Sequence, residues 1–153
     1  MPRKSLRLLP AIFVLTLAAI FGAQFAYGQE HKAINLGSAK GLPFSDGIVA
    51  GNTLYIAGQE GSDDSGKLAS GGIAAETKAA LDNIEKVVKA AGFEMKDIVS
   101  VTVYLADIKE FPEMNKVYKG VLPDPKPARA TIQAAALVNN ARVEIAAIAV
   151  KQK

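Results

Sequence analysis

Between Ile73 and Ala91 apolar and small residues recur at three- and four-residue spacing: Ile73, Thr77, Ala80, Leu81, Ile84, Val87, Val88 and Ala91. That period predicts a helix with one covered side. Lys78, Asp82, Glu85, Lys86 and Lys89 fall mostly on the other side, with Asp82–Lys86 and Glu85–Lys89 at the i,i+4 spacing that supports a solvent-facing stripe. Gly92 follows as the expected left-handed terminator. A helix of this kind must lie on something flat and apolar. The chain therefore has to supply a sheet, and this helix carries packing and no chemistry.

The strands are legible on either side of it. Ala33 to Ser38 reads as a short first strand after a polar tail at 29–32. Asp46 to Ala50 and Thr53 to Gly58 are strand-like and joined by Gly51-Asn52, a compact hairpin signal. Asp97 to Ala106 is a long strand, with Val99, Val101, Val103 and Leu105 on one face and Ser100, Thr102 and Tyr104 on the other. Ile108 to Gly120 is a second helix, with Phe111, Met114 and Tyr118 at helical spacing. A proline-rich connector, 121–127, leads to two closing strands, 127–136 and 142–150. The order ββ(β)αβαββ predicts an α+β domain with both helices on one face of a mostly antiparallel or mixed sheet. The second face is left for another subunit or a cleft.

Residues 1–28 stand apart. Arg3, Lys4 and Arg7 precede a nearly unbroken apolar run, Leu8 to Ala23, and Ala26-Tyr27-Gly28 places small residues three and one before Gln29. This is the pattern of a secretory signal peptide, and it implies a periplasmic or secreted domain at 29–153 with no membrane attachment after cleavage. A retained anchor is the alternative; Pro10, Gln24 and the small-residue exit favour cleavage. The chain has 18 Lys+Arg against 15 Asp+Glu, but three of the bases and none of the acids lie in 1–28. The remaining domain is balanced, so the basic pI is no argument for nucleic acid as a partner. There is no cysteine, which excludes thiol nucleophiles, zinc-thiolate sites and disulfides. The single histidine, His31, lies in the N-terminal tail, which argues against a catalytic triad or a histidine metal site.

Gly61-Ser62-Asp63-Asp64-Ser65-Gly66-Lys67-Leu68 nearly spells a phosphate-binding loop. Leu68 replaces the hydroxyl residue such loops need, and two aspartates would repel phosphate, so a solvated loop is the better account. The charges that stand out are Arg129, in the strand Ala128-Arg129-Ala130-Thr131-Ile132-Gln133, and Glu144, in the strand that follows. Strand alternation puts Arg129, Thr131 and Gln133 on one face, and Glu144 with Ala146, Ile148 and Val150. Two readings are open: a structural Arg–Glu pair or unrelated edge charges, or an anion-binding arginine beside a carboxylate that handles water. Asn115, between apolar positions on the second helix, reads by itself as an exposed helix residue.

Taken together, Gly41-Leu42-Pro43-Phe44, Gly51 to Gln59, Ala80-Leu81-Asp82-Asn83-Ile84, Ala90-Ala91-Gly92, Met114 to Tyr118, Pro127 to Thr131 and Val143 to Val150 resemble the RidA/YjgF family of reactive-intermediate (enamine/imine) deaminases, in order and across the whole of 29–153. The resemblance implies a chorismate-mutase-like α+β fold and a homotrimer whose sheets form a central barrel, with clefts between subunits. It places the family's carboxylate-binding arginine on Arg129 and its water-positioning glutamate on Glu144, with Gly58 and Asn115 also at the site. Phe44 stands where many deaminating members have tyrosine, and Thr131 where many have cysteine. The implied reaction is hydrolysis of 2-imino or enamino acids to 2-oxo acids and ammonia, with no cofactor and no metal. A non-catalytic carboxylate binder or a holdase-like trimer on the same fold is the rival, motivated by export away from the cytoplasmic pyridoxal-phosphate enzymes that generate enamines.

Overall fold

The computed structural model describes residues 30–36 and 41–152. The signal-peptide reading of 1–28 lies outside the described residues. Six strands form one sheet: β1 (His31–Ile34), β2 (Gly47–Ala50), β3 (Thr53–Glu60), β4 (Ile98–Leu105), β5 (Ala128–Gln133) and β6 (Val143–Val150). Their spatial order is β1-β2-β3-β6-β4-β5. All pairs are antiparallel except β4–β5, whose parallel register needs the crossover that helix α2 (Phe111–Val121) provides. The long helix α1 (Gly72–Ala90) packs on the same face as α2. This is the mixed sheet with two helices on one face that the element order predicts. β1 begins earlier than expected, at His31, inside the segment read as a polar tail.

One apolar core lies between helices and sheet. Leu54 and Ile56 of β3, Val101, Val103 and Leu105 of β4, and Val143, Ile145, Ala147 and Ala149 of β6 meet Ile73, Leu81, Ile84, Val87 and Val88 of α1 and Met114 and Tyr118 of α2. Each large aliphatic side chain so buried contributes about 1.5–3 kcal/mol. One alternation fails. Val99 is 47% exposed while Ile98 is in the core, because the β4–β6 register shifts between Ile98 and Ser100. A bulge at that point turns Val99 outward. Gly92 has φ 78°, the left-handed end expected for α1. Asp82 pairs with Lys78 at 2.6 Å and not with Lys86, which lies 3.7 Å from Asp64; Glu85–Lys89 forms as predicted at 2.7 Å.

The 61–70 loop satisfies itself. Asp63 accepts hydrogen bonds from Ser65 N at 2.9 Å, Ser65 Oγ at 2.6 Å and Lys67 N at 3.1 Å. These bonds, Ser65's hydroxyl first, hold its carboxyl below the usual range. The amides a phosphate would need are already engaged. Gly61 is required by packing: a Cβ there would sit 2.3 Å from Glu76 O and 2.5 Å from Glu76 Cα. Those are backbone atoms of α1 and cannot swing aside. Gly61→Ala is therefore expected to cost about 2–3 kcal/mol, or about 10 °C in Tm, measured by thermal denaturation.

Candidate functional site

Arg129 lies on β5 opposite Val101 of β4, and Val101 is opposite Ala147 of β6. Residues directly opposite in a ladder share a face, so Arg129 is on the helix side, at the sheet's edge. There Arg129 Nη2 donates to Asn115 Oδ1 at 2.8 Å. The guanidinium sits 4.4 Å from the Tyr118 ring centroid and 5.4 Å from that of Phe111. Burial pushes the Tyr118 phenol up, and the arginine's charge opposes that. Thr131, two residues on and on the same face, has a buried hydroxyl with no hydrogen-bond partner among the described residues. Asn115 is thus no idle surface residue. It holds one arm of the guanidinium and leaves the remaining donors available to a ligand.

Glu144 is on the other face. It lies opposite Tyr104 of β4 and Glu60 of β3. Gly58 is inside β3, at a register shift between Ile56 and Gln59. The Glu144 side chain lies across this glycine: a Cβ at 58 would be 1.8 Å from Glu144 Oε1. Burial, and then the negative charge of Glu60, push the Glu144 carboxyl above the ordinary carboxylate range. Phe44 is 52% exposed in the turn that leads into β2. Ala57 N donates to Asp46 O at 3.0 Å, which brings that turn to the Gly58 end of β3.

Five of the six expected residues therefore form two groups: Arg129, Asn115 and Thr131 at the β5 edge, and Glu144 and Gly58 on the face away from the helices; Phe44 is exposed in the turn before β2. Within one protomer Arg129 and Glu144 are two strands and three register positions apart, about 10 Å in each direction, on opposite faces. A structural Arg–Glu pair and a one-chain cleft are both excluded by this. Sequence reasoning passed over three neighbours of these residues. Tyr118 and Phe111 read only as core, although a ring beside Arg129 was available at helical spacing. Glu60 lies just past the strand expected at Thr53 to Gly58, and its place opposite Glu144 depends on the bulge. A groove of about 460 Å³ between the 61–70 loop and α1, lined by Asp63, Lys67, Asp82 and Lys86 among others, holds none of the six. Among the described residues no group of three or more His, Asp or Glu side chains is placed to hold a metal ion, and no helix is long and apolar enough to cross a membrane.

The family described as Endoribonuclease L-PSP matches residues 38–151. The chain is 42% identical over 123 residues to a human 2-iminobutanoate/2-iminopropanoate deaminase, covering 78% of this chain and 90% of that one. It is 48% identical over 110 residues to the protein of the same name from Bos taurus, covering 71% and 80%. The crystal structure of the YjgF gene product from E. coli superposes with a TM-score of 0.74 at 31% identity, covering 79% of this chain and 99% of that one. Sheet order, helix placement and these similarities agree: the chain belongs to the Endoribonuclease L-PSP family, the RidA/YjgF fold.

Proposed function

We propose that the protein hydrolyses reactive 2-imino and enamino acids, such as 2-iminopropanoate, to 2-oxo acids and ammonia, in clefts formed between copies of a homotrimer. The observation that carries this reading is the separation of the two groups. Each is half-exposed and incomplete in one chain, and a neighbouring copy that laid its β5 edge against the face bearing Glu144 would complete both. Tyr55 and Ile132 extend that face with large exposed apolar groups, the composition of a surface that a partner covers. The names of the human and bovine relatives support the substrate class.

The chemistry follows from the two groups. Arg129 binds the substrate carboxylate through two parallel N–H donors, which fixes the imine carbon. Glu144 takes a proton from water as the water oxygen bonds to that carbon and the C=N π pair moves to nitrogen. It passes the proton to nitrogen. The hydroxyl proton of the resulting carbinolamine follows the same route, the C–N bond breaks, and ammonia leaves as the C=O forms. Thr131's unpartnered hydroxyl is available to a substrate oxygen. RNA cleavage, the activity in the family's description, is disfavoured by the balanced charge of 29–153. Export through residues 1–28 is part of the proposal and would place the activity in the periplasm or outside the cell.

The test is release of pyruvate and ammonium from 2-iminopropanoate generated in situ by an amino-acid oxidase with catalase present. The protein is expected to accelerate it above the rate in buffer. Binding of 2-oxo acids by calorimetry with no acceleration would replace this reading with that of a carboxylate binder.

A further inference from the structure

Glu60 is opposite Glu144 only because of the bulge at Gly58. Ile56 pairs with Ala147; an unbroken ladder would then put Gln59 opposite Glu144. The extra residue advances β3 by one, so Gln59 meets Ile145 on the core side and Glu60 meets Glu144 on the open side. Glu60 is also held. Asn139 Nδ2 donates to Glu60 Oε2 at 3.0 Å, and Asn139 sits in the left-handed region at φ 56°, where asparagine is among the few side chains readily accommodated. The bond from Asn139 fixes where the Glu60 carboxylate sits opposite Glu144.

We propose that Glu60 is a positioning residue for the deamination: fixed by Asn139 and set across from Glu144 by the Gly58 bulge, its carboxylate makes Glu144 retain the proton it takes from water until the leaving nitrogen receives it. This inference rests on the deaminase reading of the site. Burial by the surrounding groups is the larger cause of Glu144's raised carboxyl and acts in the same direction; Glu60 adds to it as a charge that no other neighbour duplicates. Tyr104 faces it from β4, and Ala146 is its neighbour on β6. Arg142, two residues earlier, is turned to Glu76 and Glu110. The helices lie on the other face. In the assembled cleft the neighbour's Arg129 is neutralised by the substrate carboxylate it holds. Glu60 is the one fixed negative charge, among the described residues, opposite Glu144.

The test uses the whole protein with ¹³C-labelled glutamate carboxyl carbons, the Glu144 signal assigned by its loss in Glu144→Gln. Glu60→Gln is expected to make Glu144 titrate at lower pH. The acidic limb of the kcat profile is expected to move the same way, and the plateau to fall about three- to tenfold, because a weaker base accepts the water proton less readily. Glu60→Leu, which suits a strand, is expected to move both in the same direction. A Glu144 titration unchanged in both variants overturns the proposal, as does a lower plateau with an unmoved acidic limb. A wild type that shows the coupled titration but no imine turnover defeats the deaminase reading and leaves the hold of Glu60 on Glu144 in place.

Discussion

Arg129→Ala is expected to lower kcat/KM for 2-iminopropanoate by about 100- to 1,000-fold. The guanidinium–carboxylate pair supplies two charge-assisted hydrogen bonds, together about 3–4 kcal/mol, and every 1.36 kcal/mol is about tenfold in rate. Stability should fall far less. The residue loses its bond to Asn115 and its contacts with Tyr118 and Phe111, worth about 1–2 kcal/mol in a half-exposed setting. Arg129→Lys is expected to recover little, since a point charge on a flexible stem cannot make the paired contact. The stronger test is complementation. Arg129→Ala and Glu144→Gln are each expected to be inactive, yet unfolding them together and refolding a 1:1 mixture should restore about a quarter of wild-type activity. About three-quarters of the trimers would be mixed, and cyclic symmetry gives each of those one cleft with both groups intact. Pyruvate release in the refolded mixture no higher than in either parent, with mixed trimers confirmed by native mass spectrometry, would rule out clefts shared between copies.

What could be read from the chain beforehand follows the reach of periodic patterns. The α1 helix, the alternation in β6 and the fold class depend on spacing, and spacing is local. The face on which a residue ends up relative to its partners is not local. Alternation groups Arg129 with Thr131 and Gln133, but only the β4–β5 register tells that this set faces the helices while Glu144 faces away. Single-residue insertions are harder still. The bulges near Val99 and Gly58 leave composition unchanged, and each moves a side chain across the sheet. The first exposes a valine expected in the core. The second brings Glu60 into the site. Asn115 shows the same limit in another form: a polar residue on a helix looks solvent-facing until the arginine of a strand beyond it is in place.

Gly58→Ala separates catalysis from folding. The added methyl would meet Glu144 Oε1 at 1.8 Å, Cδ at 2.6 Å and Cγ at 2.9 Å, all atoms of one flexible side chain. The backbone need not move, because the obstacle is a side chain that can rotate away from the glycine within the cleft. The fold is therefore expected to survive, with Tm within about 5 °C of wild type. Activity is not. A carboxylate turned from the imine carbon no longer orients water or returns its proton, and loss of a general acid–base group costs about 10²- to 10⁴-fold. KM should change little, since Arg129 is untouched, so the loss should appear in kcat. Gly61→Ala, three residues on, is the opposite case: the obstacle there is helix backbone, and stability falls while the site's own side chains stay in place. Measuring Tm and kcat for both variants tests the assignment, and a Gly58→Ala protein with wild-type kcat would mean that the carboxylate beside that glycine takes no part in the reaction.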